Sequence, residues 1–129
     1  MSKWLDGLGL VVYCGLIFGL SAQEKLPVPE VFHFQDKLIH AAAYFVMAVF
    51  SWRAFRHVII KPQSLTVLAV MFCSLYGVSD EWHQSFVPGR TTSIGDWLAD
   101  TIGAVMAMAG LLKFNVWIAP FSSRQSFNN

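Results

Sequence analysis

Residues 96–113 read DWLADTIGAVMAMAGLLK. The ionisable side chains, Asp96, Asp100 and Lys113, sit near the two ends, and the stretch from Thr101 to Leu112 is otherwise apolar or small. The pattern lacks the strict alternation of a half-buried strand, and its length suits a helix. At 100° per residue, Asp96, Asp100, Gly103, Ala107 and Gly110 fall within roughly 80° of one another. One stripe of this helix is therefore acidic at its start and small below. Small residues let helices approach closely in lipid, where van der Waals packing replaces the hydrophobic effect as the main attraction. The stripe is expected to face other helices, with its two carboxylates pointing into a bundle.

Similar apolar runs cover about 4–20, 38–52 and 65–78. Each is roughly 13 to 17 residues long without interruption, short of the ~20 that cross a bilayer core; polar end residues extend the spans to about 18. Length alone also fits buried helices of a soluble protein, and composition decides between the two. Of 129 residues, 55% are hydrophobic and 13% charged, with a mean hydropathy of +0.50. A soluble domain this small carries roughly a quarter charged residues, because its surface is large for its volume. Aromatic residues at 15% exclude intrinsic disorder. A net charge of +1 with no basic stripe excludes an electrostatic nucleic-acid binder. The expected partners are membrane lipids. The expected fold is an all-α, integral membrane four-helix bundle, one domain over residues 1–129. Its helices are predicted at about 4–22, 36–55, 63–82 and 95–115, with a polar tail over 120–129.

Charge placement orients the bundle. With the first helix starting in the cytoplasm, the inner segments hold Lys3, Arg53, Arg56, Lys61, Lys113 and Arg124. The outer side holds Lys25, Lys37 and Arg90, together with Glu24, Glu30, Asp36, Asp80, Glu81, Asp96 and Asp100, and leaves Asp6 inside. By the positive-inside rule both termini are expected in the cytoplasm, N-in/C-in. Lys3, the first apolar run and Ser21-Ala22 also resemble a secretory signal peptide. Trp4 and Asp6 are poor residues for its basic start, so the first helix is expected to be retained. Cys14 and Cys73 lie inside apolar runs and read as packing residues.

The polar chemistry gathers at the outer ends of helices two to four. Asp36 and His40 are four apart and share a helical face; Asp36 reads equally as a helix cap, and His40 as a satisfied structural residue. Ser74, Gly77, Glu81 and Gln84 form one polar, thin face, with His83 off it as interfacial decoration beside Trp82. A carboxylate at the bilayer rim, such as Glu81, needs a cation, hydrogen-bond donors or a proton. Pro88-Gly89 suits the centre of a type II turn, and Arg90 follows as the cation of this stretch. Ser93-Ile94-Gly95-Asp96 reads as a capping box, with Asp96 reaching back to Ser93. The expected site is an outward-open pocket lined by Asp36, His40, Glu81, Gln84, Arg90, Asp96 and Asp100.

These residues carry a resemblance. Asp36-Lys37-x-x-His40, then Glu81-x-x-Gln84-x-Phe86-x-Pro88-Gly89-Arg90, then Asp96-x-x-Ala99-Asp100-x-x-Gly103 resemble the ordered motifs of the VanZ-like family. Asp100 stands where that family often has Asn, which adds an acid to the pocket. The resemblance implies a bacterial inner-membrane protein with the motif side facing the periplasm or cell surface. The family takes its name from a small membrane protein associated with resistance to the lipoglycopeptide teicoplanin, and the resemblance brings no established reaction.

Three functional classes follow. A binding protein would hold a lipoglycopeptide or a lipid-linked envelope intermediate, with Arg90 taking a phosphate or carboxylate bidentately. An enzyme would use Glu81 with Asp96 or Asp100 as acid and base on a lipid-linked substrate, with His40 as a further candidate. A structural subunit of an envelope complex would use the same groups as a packing network. No HExxH, GxSxG or phosphate loop is present. No cofactor and no metal are expected; a variant of the enzyme reading places a divalent ion among Asp36, His40, Glu81 and Asp100.

Overall fold

The four apolar runs fold as α-helices: α1 (Lys3–Ser21), α2 (Gln35–Phe55), α3 (Pro62–Gln84) and α4 (Ile94–Lys113). The computed structural model describes residues 2–24 and 28–114. The expected tail over 120–129, and Lys25 and Arg124 of the charge pattern, lie outside the described residues. The helix limits differ from expectation by one or two residues, α3 running on to Gln84. All four helices are long and apolar enough to cross a membrane. The chain is a multi-pass membrane protein.

Local chemistry starts each helix where it does. The Ser2 side chain accepts the Leu5 N–H at 3.4 Å, satisfying one orphan donor of the first turn of α1. Pro62 opens α3, where its missing N–H costs nothing. Before α2, the Gln35 side chain bridges the loop: its Oε1 accepts from Val31 N at 2.7 Å and its Nε2 donates to Pro29 O at 2.8 Å. Between α3 and α4, Gly89 has φ +80° and Arg90 N donates to Val87 O at 3.2 Å, the geometry of a type II turn.

Packing is inverted relative to a soluble protein. Large apolar side chains such as Val11, Leu16, Met71, Leu75, Ile102 and Met106 point outward, while Asp6, Ser51, Asp80, Gln84, Asp96 and Asp100 are buried. The core is small and tight, built from Tyr44, Met47, Ala48, Ala69, Cys73, Ala104, Ala107 and Met108. α2 packs against the other three helices, most extensively against α4. At Gly103 α4 comes so near α2 that a Cβ would collide with the backbone carbonyl of Ala41. Trp97 and Thr101 tie α4 to α3, through Trp97 Nε1 to Ser74 O and Thr101 Oγ1 to Ser74 Oγ, each at 3.1 Å.

One end of the bundle carries an ion cluster that is not visible in local sequence. Asp6, counted above as a lone inner acid, has a fully buried side chain. Arg53 approaches its Oδ1 at 2.8 Å, and His57 Nε2 and Arg56 approach its Oδ2 at 2.8 and 3.5 Å. The start of α1 is thereby clamped to the end of α2. The acidic ends of α2, α3 and α4 meet at the opposite end.

Candidate functional site

α4 packs against both α2 and α3, and its first turns meet the start of α2 and the end of α3. Asp100, its side chain completely buried, contacts His40 Nδ1 through Oδ1 at 2.8 Å. One turn outward, Asp96 takes Lys37 Nζ at 2.8 Å. Gly77 makes room for this register, since a Cβ there would sit 3.0 Å from Asp100 Oδ2 and 3.3 Å from Trp97 Cδ1.

The capping box is not formed. Ser93 occupies the N-cap position of α4, but its side chain makes no capping hydrogen bond, and Asp96 turns away to Lys37. The Ser93 backbone N–H instead donates to Glu81 Oε2 at 2.9 Å. The acid that a local box takes from within the helix comes here from α3. Glu81→Ala is expected to lower stability by about 1 kcal/mol, the usual cost of a lost cap, whereas Glu81→Gln retains an accepting oxygen and should melt close to the native protein. Thermal unfolding in detergent micelles checks the pair.

A second group of polar residues lines a small cleft between α1, α2 and α3. Ile17, Leu20, Ile39 and Ala43 supply apolar wall, and His40, Tyr44, Asp80, Gln84 and Arg90 the polar part. Arg90 donates to Gln84 Oε1 at 2.8 Å. Gln84 Nε2 in turn donates to Asp80 Oδ2 at 3.2 Å, which also accepts from Tyr44 OH at 3.4 Å. Among the described residues no carboxylate lies within 4.0 Å of the Arg90 guanidinium. Arg90 is thus held by a neutral amide and does not touch the acids of α4.

The expected residues therefore divide. Glu81, Asp96, Asp100 and His40 come together at the α2–α3–α4 junction, and Gln84 and Arg90 sit on the cleft side of His40. Asp36 is exposed, with one carboxylate oxygen within 4.8 Å of donor atoms of His40 and Asp96. Sequence reading passed over Lys37, Tyr44 and Asp80. Tyr44 is four residues after His40 and Asp80 four before Gln84, so helical spacing carried the signal for both. Lys37 stands in the motif beside Asp36, but nothing local says which of the two turns toward α4. His83 is more than decoration: its ring stacks on Phe18 of α1 at 4.2 Å between centroids.

No curated protein and no solved structure matches the chain. A family model described as VanZ/LLP1 matches residues 10–117, well over half of the chain, including every motif residue discussed above. By that match the chain belongs to the VanZ/LLP1 family.

Proposed function

We propose that this protein lies in the bacterial inner membrane with both termini inside and the acidic ends outward, and binds the polar head of an amphipathic envelope molecule. A lipid-linked cell-wall intermediate and a lipoglycopeptide share the required chemistry, an anionic head on an apolar tail. The observation that carries the reading is Arg90. A guanidinium at the rim of an apolar-walled cleft, held by Gln84 rather than by an acid, keeps its charge for an incoming phosphate or carboxylate. Ile17, Leu20 and Ile39 line the route a tail would take between helices. Holding such a lipid is also the route by which the protein would contribute to tolerance of teicoplanin-type glycopeptides.

Arg90→Ala is expected to abolish that tolerance in a strain that depends on this protein, while the purified variant stays folded. Arg90→Lys keeps the charge but loses the planar fork and should retain only part of it. Unchanged susceptibility of the Arg90→Ala strain would overturn the reading.

A second reading is favoured by the His40–Asp100 pair. A histidine oriented by a buried carboxylate and facing a cleft is equipped as a general base. Glu81 is the remaining acid candidate, since Asp96 is tied to Lys37. A chemically altered lipid, found by mass spectrometry after incubation with a lipid-linked pyrophosphate, would establish catalysis; recovery of the unaltered lipid leaves binding as the function.

A further inference from the structure

Charge bookkeeping at the α2–α3–α4 junction does not close with the side chains alone. Lys37 neutralises Asp96, and Asp36 is hydrated at the surface. Glu81 has no such cation, and Asp100 is paired with His40, which carries charge only when protonated. Glu81 spends Oε2 on the Ser93 N–H, and Asp100 spends Oδ1 on His40. The second oxygen of each, Glu81 Oε1 and Asp100 Oδ2, is buried without a hydrogen-bond partner. The Asp100 side chain is completely shielded from solvent, so its orphaned oxygen cannot be served from bulk water. A buried carboxylate oxygen left without donor or cation is strongly unfavourable.

His40, Glu81 and Asp100 each present one donor atom within 4.8 Å of the others. From this geometry we infer that the three residues hold a divalent cation. Two carboxylates balance its charge and one imidazole supplies a softer donor, a mixture that suits Mn²⁺ or Zn²⁺ better than Ca²⁺, which prefers an all-oxygen shell. Among the described residues one other triad has similar spacing, Asp36, His40 and Asp96. It is the poorer site, because Lys37 already occupies Asp96 and Asp36 is exposed. Gly77 belongs to the proposed site as well, because any side chain there would press on Asp100 Oδ2. The cation would sit beside the cleft that His40 also lines, but the inference goes beyond the lipid-binding reading and does not rest on it.

The test uses the full chain in detergent micelles, stripped with chelator and titrated with Mn²⁺ alone, free ion being read by electron paramagnetic resonance. Saturable binding of one ion per chain, displaced by Zn²⁺ and accompanied by a rise in Tm, is expected. Asp100→Asn and Glu81→Gln preserve shape and should weaken binding by more than the roughly 10- to 100-fold that loss of a ligand-orienting group costs. Glu30→Gln, in the exposed loop before α2, should bind as the native chain does. Absence of saturable binding by the native chain at millimolar Mn²⁺ would overturn the inference and leave a shared proton as the solution to the charge problem. Loss of binding in Asp36→Asn with retention in Asp100→Asn would equally overturn it, by moving the ion to the other triad. Should Asp100→Asn fail to fold, Glu81→Gln and the chelator-reversible Tm rise of the native chain decide the matter.

Discussion

Gly103→Val should pry apart the helix packing of this protein, since even the first carbon of the new side chain has no room. The position faces the Ala41 backbone, and a Cβ there overlaps the carbonyl oxygen and carbon of that residue. A side chain in the way can rotate, but a helix backbone cannot, so α2 and α4 must move apart. Overpacking a tight core costs about 1–3 kcal/mol, and a clash against backbone belongs at or above the top of that range. Association in lipid depends on close contact rather than on water expulsion, so separation loses the attraction itself. The same shift would draw Asp96 from Lys37 and Asp100 from His40. The melting temperature of the purified variant in micelles should fall steeply. Gly110→Ala is the control. It lies on the same stripe, but a Cβ there meets nothing within 4 Å, so its Tm should stay near the native value. A Gly103→Val protein that melts with the native one would show that α2 and α4 do not cross at this point.

The second large effect is expected at the other end, from Asp6→Ala. Its carboxylate gathers Arg53, Arg56 and His57 and is itself fully buried. Removing it takes away the carboxylate that Arg53, Arg56 and His57 share, and breaking a buried ionic network from one side costs about 3–5 kcal/mol. The basic side chains are a quarter to a third exposed and recover some hydration, which places the expected loss near the lower limit. Asp6→Asn should recover little, since an amide keeps one accepting oxygen and brings no counter-charge. Replacing Asp6 and Arg53 together by Leu and Met should restore part of the stability, because the desolvation cost is removed with the attraction. Thermal unfolding of the single and double variants measures both. Equal melting of Asp6→Ala and native protein would mean that the clamp between α1 and α2 contributes nothing.

Some of the site was legible because it obeys helical periodicity. Asp96, Asp100, Gly103 and Ala107 repeat at three and four residues, and all four are buried on the face that meets α2 and α3. Asp36 and His40 obey the same spacing, yet only His40 turns inward. A single step of rotation about the α2 axis, about 100°, exchanges residue 36 for residue 37. Contact with α4 sets that rotation, which is why Lys37 was missed. The capping box failed for a related reason: Ser93 and Asp96 satisfy the local rule, but Glu81 and Lys37 offer partners that a local rule does not see. Asp6 is the extreme case, since its partners lie on another helix far along the chain.

Apolar run length and low charge content determined by themselves that the chain forms four helices suited to a membrane, since each backbone polar group must find its partner within its own segment. The spacing of small and acidic residues along α4 likewise determined which of its faces turns to protein. Only the tertiary structure decided which charge meets which. Ion pairing depends on distances of a few ångströms between helices, and those distances follow from how closely Gly103 lets α4 approach α2.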